Sequence, residues 1–302
     1  MKAVFLPAIA LSLFWTAAAV PAQETSAPGN PFLEPRLHPD SPGRNPWLIE
    51  PHRPNYVLPV SYIRNPSENL EQAAASSDVA DEAGLTGDKL QDVEVKFQLS
   101  LQLPLARDII AGNGDLYVAY TQVSVWQAYN SDYSSPFRDT NYEPEGYLSF
   151  DTDCDLLGLR LRIVQCGFVH QSNGRADLLS RSWNRIYANF ILERGNFACA
   201  LKPWWRIPES EEEDNNPRIE NFYGYGEFRA AYKWREQVFA ALLRNNFKFD
   251  GNKGALELNW AFPLAGQLKG FVQFFTGYGE TLLDYDETDE RIGIGLLLAD
   301  WV

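Results

Sequence analysis

The stretch HQSNGRADLLSRSWNR, His170 to Arg185, sets a histidine two residues before a serine and an asparagine early in the segment that follows. A serine hydroxyl is a weak nucleophile at neutral pH and needs a base beside it, most often an imidazole. In an extended chain His170 and Ser172 share one face with Cα atoms roughly 6.6 to 7 Å apart, close enough for a ring nitrogen to reach the hydroxyl. Asn184, from an adjacent strand, would then fix the tautomer and orientation of the ring. A neutral amide does not stabilise imidazolium as a carboxylate would, so the arrangement calls for other electrostatic help. An H-x-S pair alone is more often structural than functional, and the elements that carry it decide the matter.

Those elements are strands. VEVKFQLSLQL (93–103) puts Val93, Val95, Phe97, Leu99, Leu101 and Leu103 on one face and Glu94, Lys96, Gln98, Ser100 and Gln102 on the other. Similar segments recur at 55–63, 115–129, 145–153, 158–170, 183–193, 197–206, 223–233, 237–245, 254–262, 268–275 and 290–301, which makes twelve. A soluble β-sandwich or barrel accepts such a list, and so does a membrane barrel with lipid outside. Several segments reach the 9 to 11 residues that cross a bilayer at a tilt. Trp126, Tyr129, Trp183, Tyr187, Trp204, Trp205, Trp260 and Tyr278 lie near segment ends, as an interfacial aromatic girdle would.

The first 22 residues, with Lys2, an apolar run and small residues up to Ala22, read as a secretory signal peptide. Residues 23–54 form a Pro-rich exported lead-in without helical or strand period. No later stretch approaches the ~20 apolar residues of a membrane helix. The expectation is therefore all-β: a twelve-stranded antiparallel transmembrane β-barrel over residues 55–302 in an outer membrane. The formal charge of −14 leaves no basic face for nucleic acid. Cys154, Cys166 and Cys199 show no metal-ligand spacing, and their odd number cannot complete a disulfide framework.

The strand period also assigns faces. Val164, Cys166 and Phe168 share a side with His170 and Ser172, and Ile186 and Ala188 share one with Asn184. If that apolar side faces lipid, the three polar side chains project outward near the membrane boundary, where they meet lipid head groups rather than a solute in a pore.

HQSNGRADLLSRSWNR closely resembles the signature of the outer-membrane phospholipase A family, also called detergent-resistant phospholipase A, usually HDSNGR followed by SRSWNR. VKFQLS (95–100), SSPFRDTNYEP (134–144), GYGE (277–280) and LLDY (282–285) resemble further family blocks in order. The resemblance runs from about Asn55 to the C-terminus. It implies a calcium-dependent serine hydrolase on the outer surface of an integral barrel in the outer membrane of a Gram-negative bacterium, activated by homodimerisation. Its substrates would be both acyl ester positions, sn-1 and sn-2, of glycerophospholipids and lysophospholipids. Ser172 resembles the nucleophile, His170 the base, Asn184 the orienting member and Gly174 the backbone oxyanion donor. The family pattern points to the Arg175 carbonyl and Ser180 hydroxyl as calcium ligands, with the Ser134 carbonyl coming from a second copy.

Asn215, in the acidic loop PESEEEDNNP (208–217), falls where the family usually has an Asp ligand, and Asp214 is the alternative. Gln122 matches a polar residue on the lipid face of the family's dimer interface. Gln171 stands where Asp is common, which would remove a carboxylate beside the site. The rival readings are a non-enzymatic porin or structural barrel, in which the 170–185 cluster only caps a hairpin, and an outer-membrane protease, which wants acidic residues around a bound water.

Overall fold

The computed structural model describes residues 30–33, 49–64, 66, 90–176, 179–266 and 268–300. The expected signal peptide, 1–22, lies outside them, as does most of the lead-in. No helix among the described residues is long and apolar enough to cross a membrane. Twelve long strands close into an antiparallel barrel, and a two-residue strand, β1 (Glu50–Pro51), pairs with the end of β3. The barrel strands are β2 (Asn55–Arg64), β3 (Val93–Ala106), β4 (Asp115–Trp126), β5 (Phe137–Leu156), β6 (Leu159–Ser172), β7 (Ser182–Arg194), β8 (Phe197–Arg206), β9 (Gly226–Trp234), β10 (Gln237–Asn245), β11 (Gly254–Ala265), β12 (Leu268–Tyr278) and β13 (Thr288–Ala299). Each pairs with its sequence neighbour, and β13 closes onto β2.

One end of the barrel has tight turns and the other has the long loops. At the tight end, Leu157 and Gly158 both hold positive φ between β5 and β6, the twist that suits a two-residue hairpin. At the other end lie the segments after β6, β8, β10 and β12. The His170–Arg185 stretch is one of these long-loop connections.

The period-2 pattern is realised with polarity inverted relative to a soluble core. In β3, Glu94, Lys96, Ser100 and Gln102 are buried in the lumen, whereas Leu99 and Leu105 are exposed on the outer wall. Val118, Tyr120, Ile292 and Ile294 continue that apolar outer belt, as lipid-facing strands require. The lumen is packed. Arg53 binds Glu143 at 2.6 Å and Glu145 at 3.2 Å, while His52 Nε2 and the Tyr187 hydroxyl also meet Glu145, at 2.8 and 2.7 Å. At the tight-turn end Asn30 donates to the carbonyls of Gly195 and Phe197 at 2.8 and 3.1 Å. Phe32 and Leu33 pack there against lumen side chains such as Ile191 and Phe271. A short piece of the N-terminal lead-in is thus housed inside the barrel.

Three sequence expectations change. β5 begins at Phe137 rather than near 145: Arg138, Asp139, Asn141 and Glu145 are buried toward a polar lumen, so no apolar alternation betrays the strand. Residues 223–225 are not strand. Glu220–Tyr223 form a single helical turn that ends at Gly224 with φ 73°, where a Cβ would stand 2.2 Å from the Asn245 carbonyl oxygen. Trp183, Tyr187 and Trp204 do not join a girdle, because they are buried in a lumen cluster with Tyr223. Trp205, Trp260 and Tyr129 are exposed. All three cysteines are free thiols.

Candidate active site on the outer wall

β6 and β7 pair so that His170 sits opposite Asn184 and Ser172 opposite Ser182. Val169 and Gln171 of β6 and Trp183 and Arg185 of β7 are buried inward, which sends His170, Ser172 and Asn184 outward. One step nearer the membrane centre, Phe168 and Ile186 form the next cross-strand pair, and Trp205 lies beside Ile186 on β8. All three are exposed. The polar trio therefore stands at the head of an apolar wall.

His170 Nδ1 is 2.9 Å from Asn184 Oδ1. The amide oxygen accepts, so Nδ1 carries the proton and Nε2 is left as the basic nitrogen. The Ser172 hydroxyl makes no hydrogen bond among the described residues. It lies two positions along the strand, on the face of the basic nitrogen's ring, and such contacts tighten when substrate arrives.

The connection 173–181 is organised by Asn173, a residue the sequence reading left without a role. Its Nδ2 donates to the Leu179 carbonyl at 2.8 Å, and its Oδ1 accepts the N–H groups of Arg175 and Arg181 at 3.3 and 2.9 Å. Gly174 has φ 66°, and a Cβ there would stand 2.9 Å from the Tyr142 ring. No hydrogen bond among the described residues takes up the Gly174 N–H. Arg175 reaches with Nη2 to the carbonyls of Phe137 and Arg138, at 2.9 and 2.7 Å, which ties the loop to β5.

Of the residues expected to bind a cation, Ser180 and Asn215 are brought together: Asn215 Nδ2 donates to Ser180 Oγ at 2.9 Å, and its Oδ1 accepts the Ser182 N–H at 2.9 Å. Asp214 is not at this place, because its carboxylate binds Arg206 at 2.6 Å. Ser134 is exposed, with φ 55°, at the end of the short turn Ser131–Tyr133. Gln122 lies on the outer face of β4 and is paired within its own chain, accepting from the Tyr120 hydroxyl and donating to Ser124 Oγ, both at 3.0 Å. Gln171 is not beside the site. It faces the lumen, where its Oε1 accepts from Trp183 Nε1 and Arg185 Nη2, both at 2.9 Å.

One contact had no signal in the sequence. Asn184 Nδ2 donates to Glu209 Oε1 at 3.0 Å, from a run of acidic residues in which no single member stands out.

Comparison with known proteins agrees with this architecture. The Phospholipase A1 family model matches residues 38–298. Proteins named Phospholipase A1 from Klebsiella pneumoniae and Escherichia coli K12 are 39% identical over 256 residues, covering 85% of this chain and 84% and 83% of theirs. The solved structure of Escherichia coli outer membrane phospholipase A superposes with a TM-score of 0.75 at 38% identity, over 85% of this chain and 94% of that one. A Salmonella typhi outer membrane phospholipase dimer with bound calcium also gives 0.75, at 36% identity, over 85% and 95%. With its strands closed into a lipid-facing barrel and most of its length matched, the chain belongs to the phospholipase A1 family, enzymes built as integral β-barrels of the outer membrane.

Proposed function

We propose that this phospholipase hydrolyses sn-1 and sn-2 acyl esters of glycerophospholipids and lysophospholipids with Ser172, His170 and Asn184, and that it does so with calcium as a homodimer. The observation that carries the reading is the 2.9 Å His170–Asn184 hydrogen bond on the same outer face as Ser172, above an exposed apolar wall. An ester at the head-group boundary meets that face with its acyl chain along Phe168, Ile186 and Trp205.

His170 Nε2 takes the Ser172 proton as Oγ attacks the acyl carbonyl carbon. The Gly174 N–H receives the carbonyl oxygen as its charge develops. His170 returns the proton to the leaving glycerol oxygen, which departs as lysophospholipid, and water then cleaves the acyl-serine by the same route. Asn184 keeps Nδ1 protonated throughout.

The donor set suits a hard cation: the Arg175 and Ser134 carbonyls, the Ser180 hydroxyl and the Asn215 amide oxygen are all oxygens, and Asn215 already lies against Ser180, in contact through its Nδ2. When bound, calcium would supply positive charge for the oxyanion that neutral Asn184 does not provide. Ser134, exposed on its turn, would come from the second copy. Gln122 Nε2 keeps one hydrogen beyond its bond to Ser124, which a symmetry mate would accept.

The test is release of fatty acid from phospholipid in detergent micelles, with and without a calcium chelator, together with labelling by a sulfonyl fluoride. Calcium-dependent release and label on Ser172 are expected. Ion conductance in planar bilayers with neither release nor label would establish the porin reading instead.

Asn215 adds a sharper expectation. None of the four proposed ligands carries a charge, and calcium affinity rises with ligand charge. Asn215→Asp keeps the acceptor for the Ser182 N–H and adds a carboxylate, so half-maximal activity should need about tenfold less calcium. A calcium titration of initial rates checks it, and an unchanged midpoint would remove Asn215 from the ligand set.

A further inference from the structure

We infer that Glu209 is a fourth member of the catalytic relay, a positioning residue that acts on His170 only through Asn184. The inference rests on the Ser172–His170–Asn184 reading proposed above. A primary amide is nearly symmetric in shape, and flipping it by half a turn exchanges its oxygen for its NH2 group. Only one of the two orientations works here. With Oδ1 toward the ring, Nδ1 is protonated and Nε2 is basic. With NH2 toward the ring, Nδ1 must accept, the proton moves to Nε2, and the nitrogen left for Ser172 is no longer a base.

Glu209 decides between them. A carboxylate accepts and never donates, so the Asn184 atom facing it at 3.0 Å must be Nδ2. That leaves Oδ1 for His170 at 2.9 Å. The loop that carries Glu209 is built to hold it there. Ile207 N donates to the Asn184 carbonyl at 2.9 Å, which continues the β7–β8 pairing two residues before Glu209. Beyond it, the Ser210 carbonyl accepts the N–H groups of Glu213 and Asp214, and Asp214 is clamped to Arg206 at 2.6 Å. Glu209 itself is half-buried. The remaining acidic side chains of the loop, Glu211, Glu212 and Glu213, are exposed. A site without a catalytic aspartate thus receives its acceptor-only group one residue further out.

The experiment measures kcat and KM at saturating calcium for the full-length chain and for Glu209→Ala, Glu209→Gln, Asn184→Ala and Asn184→Ala/Glu209→Ala. Glu209→Ala should lower kcat about tenfold with KM unchanged, since a misaimed base costs turnover rather than binding. Glu209→Gln should fall between, because a glutamine can accept from Nδ2 but can also flip and donate. In the Asn184→Ala background the Glu209→Ala change should have no further effect, the non-additivity expected of residues that act in series. An active wild type with an equally active Glu209→Ala overturns the inference alone, and so does a loss of equal size in the Asn184→Ala background, which would mean a structural loop role. A wild type that releases no fatty acid overturns the reading of the site and this inference with it.

Discussion

Ser172→Ala should abolish phospholipid hydrolysis, with a loss on the order of 10^5-fold or more in kcat, while leaving the barrel folded. In the proposed mechanism the hydroxyl bonds to the acyl carbon, and its neighbour on the outer face, Ser182, lies opposite Ser172 itself rather than opposite a histidine, since His170 pairs with Asn184. What survives should be the contribution of the oxyanion donor and of lipid binding. Adding His170→Ala should cost little more, because base and nucleophile act as one unit. Asn184→Ala should be milder, about 100-fold, because an amide that only aims a ring is replaceable in part by water. Ser172 is half-buried and makes no hydrogen bond among the described residues, so its removal leaves no orphaned partner and the fold should not respond. The readouts are fatty-acid release and detergent-resistant migration of the folded barrel on a gel. Undiminished calcium-dependent release by Ser172→Ala would remove the serine mechanism altogether.

The second large effect lies in the wall behind the site. Arg138 is fully buried at the start of β5, where Nε binds Glu94 at 2.8 Å and Nη1 binds Asp284. Glu94 also binds Arg291 at 2.7 Å, and Arg291 and Lys96 meet at Glu280. Five buried side chains around Arg138 therefore depend on one another across β3, β5, β13 and the loop after β12. Replacing Arg138 with Met removes one cation and leaves buried carboxylates short of charge, a loss of about 3 to 5 kcal/mol. Reversible urea unfolding in lipid vesicles would measure it, and an unchanged midpoint would show that Arg291 alone suffices. Activity should fall as well if the backbone at 138 shifts, because its carbonyl holds Arg175 of the loop proposed to carry the oxyanion donor.

The same network sets an acid limit. Burial pushes the Glu280 carboxyl up, but Arg291 and Lys96 outweigh it and hold the group well below the usual carboxylate range. A carboxylate depressed in the folded state contributes its stability above the unfolded value of about 4.3, and that contribution is lost as pH falls from there through the folded value.

Much of this was legible from alternation alone. β3 and the outward placement of His170, Ser172 and Asn184 follow from counting every second residue, because one face of each strand is apolar. The same count failed where both faces carry polar residues. The first eight residues of β5 read as a loop, since their lumen-facing side chains are chosen for ion pairs with partners such as Arg53 and Asp284, far away in sequence. The aromatics were misread for a related reason: a Trp near a strand end says nothing of its side, and Trp183 faces inward only because Asn184 faces out. Asn173 could be suspected from its place before a glycine. Glu209 could not, because its meaning depends on where the 207–219 loop folds back onto β7.

That Gln171 points inward between two outward residues proposed as catalytic has a consequence for how such an enzyme changes over generations. On that proposal codons 170 and 172 would answer to the chemistry of the lipid, whereas codon 171 answers to the packing of the barrel through its bonds to Trp183 and Arg185. Selection for a new head group or a colder membrane can work on alternate codons of β6 and β7 and leave the intervening ones to preserve the scaffold. A Gln at 171 is then a matter for the lumen, where Trp183 and Arg185 meet it, rather than for the lipid outside.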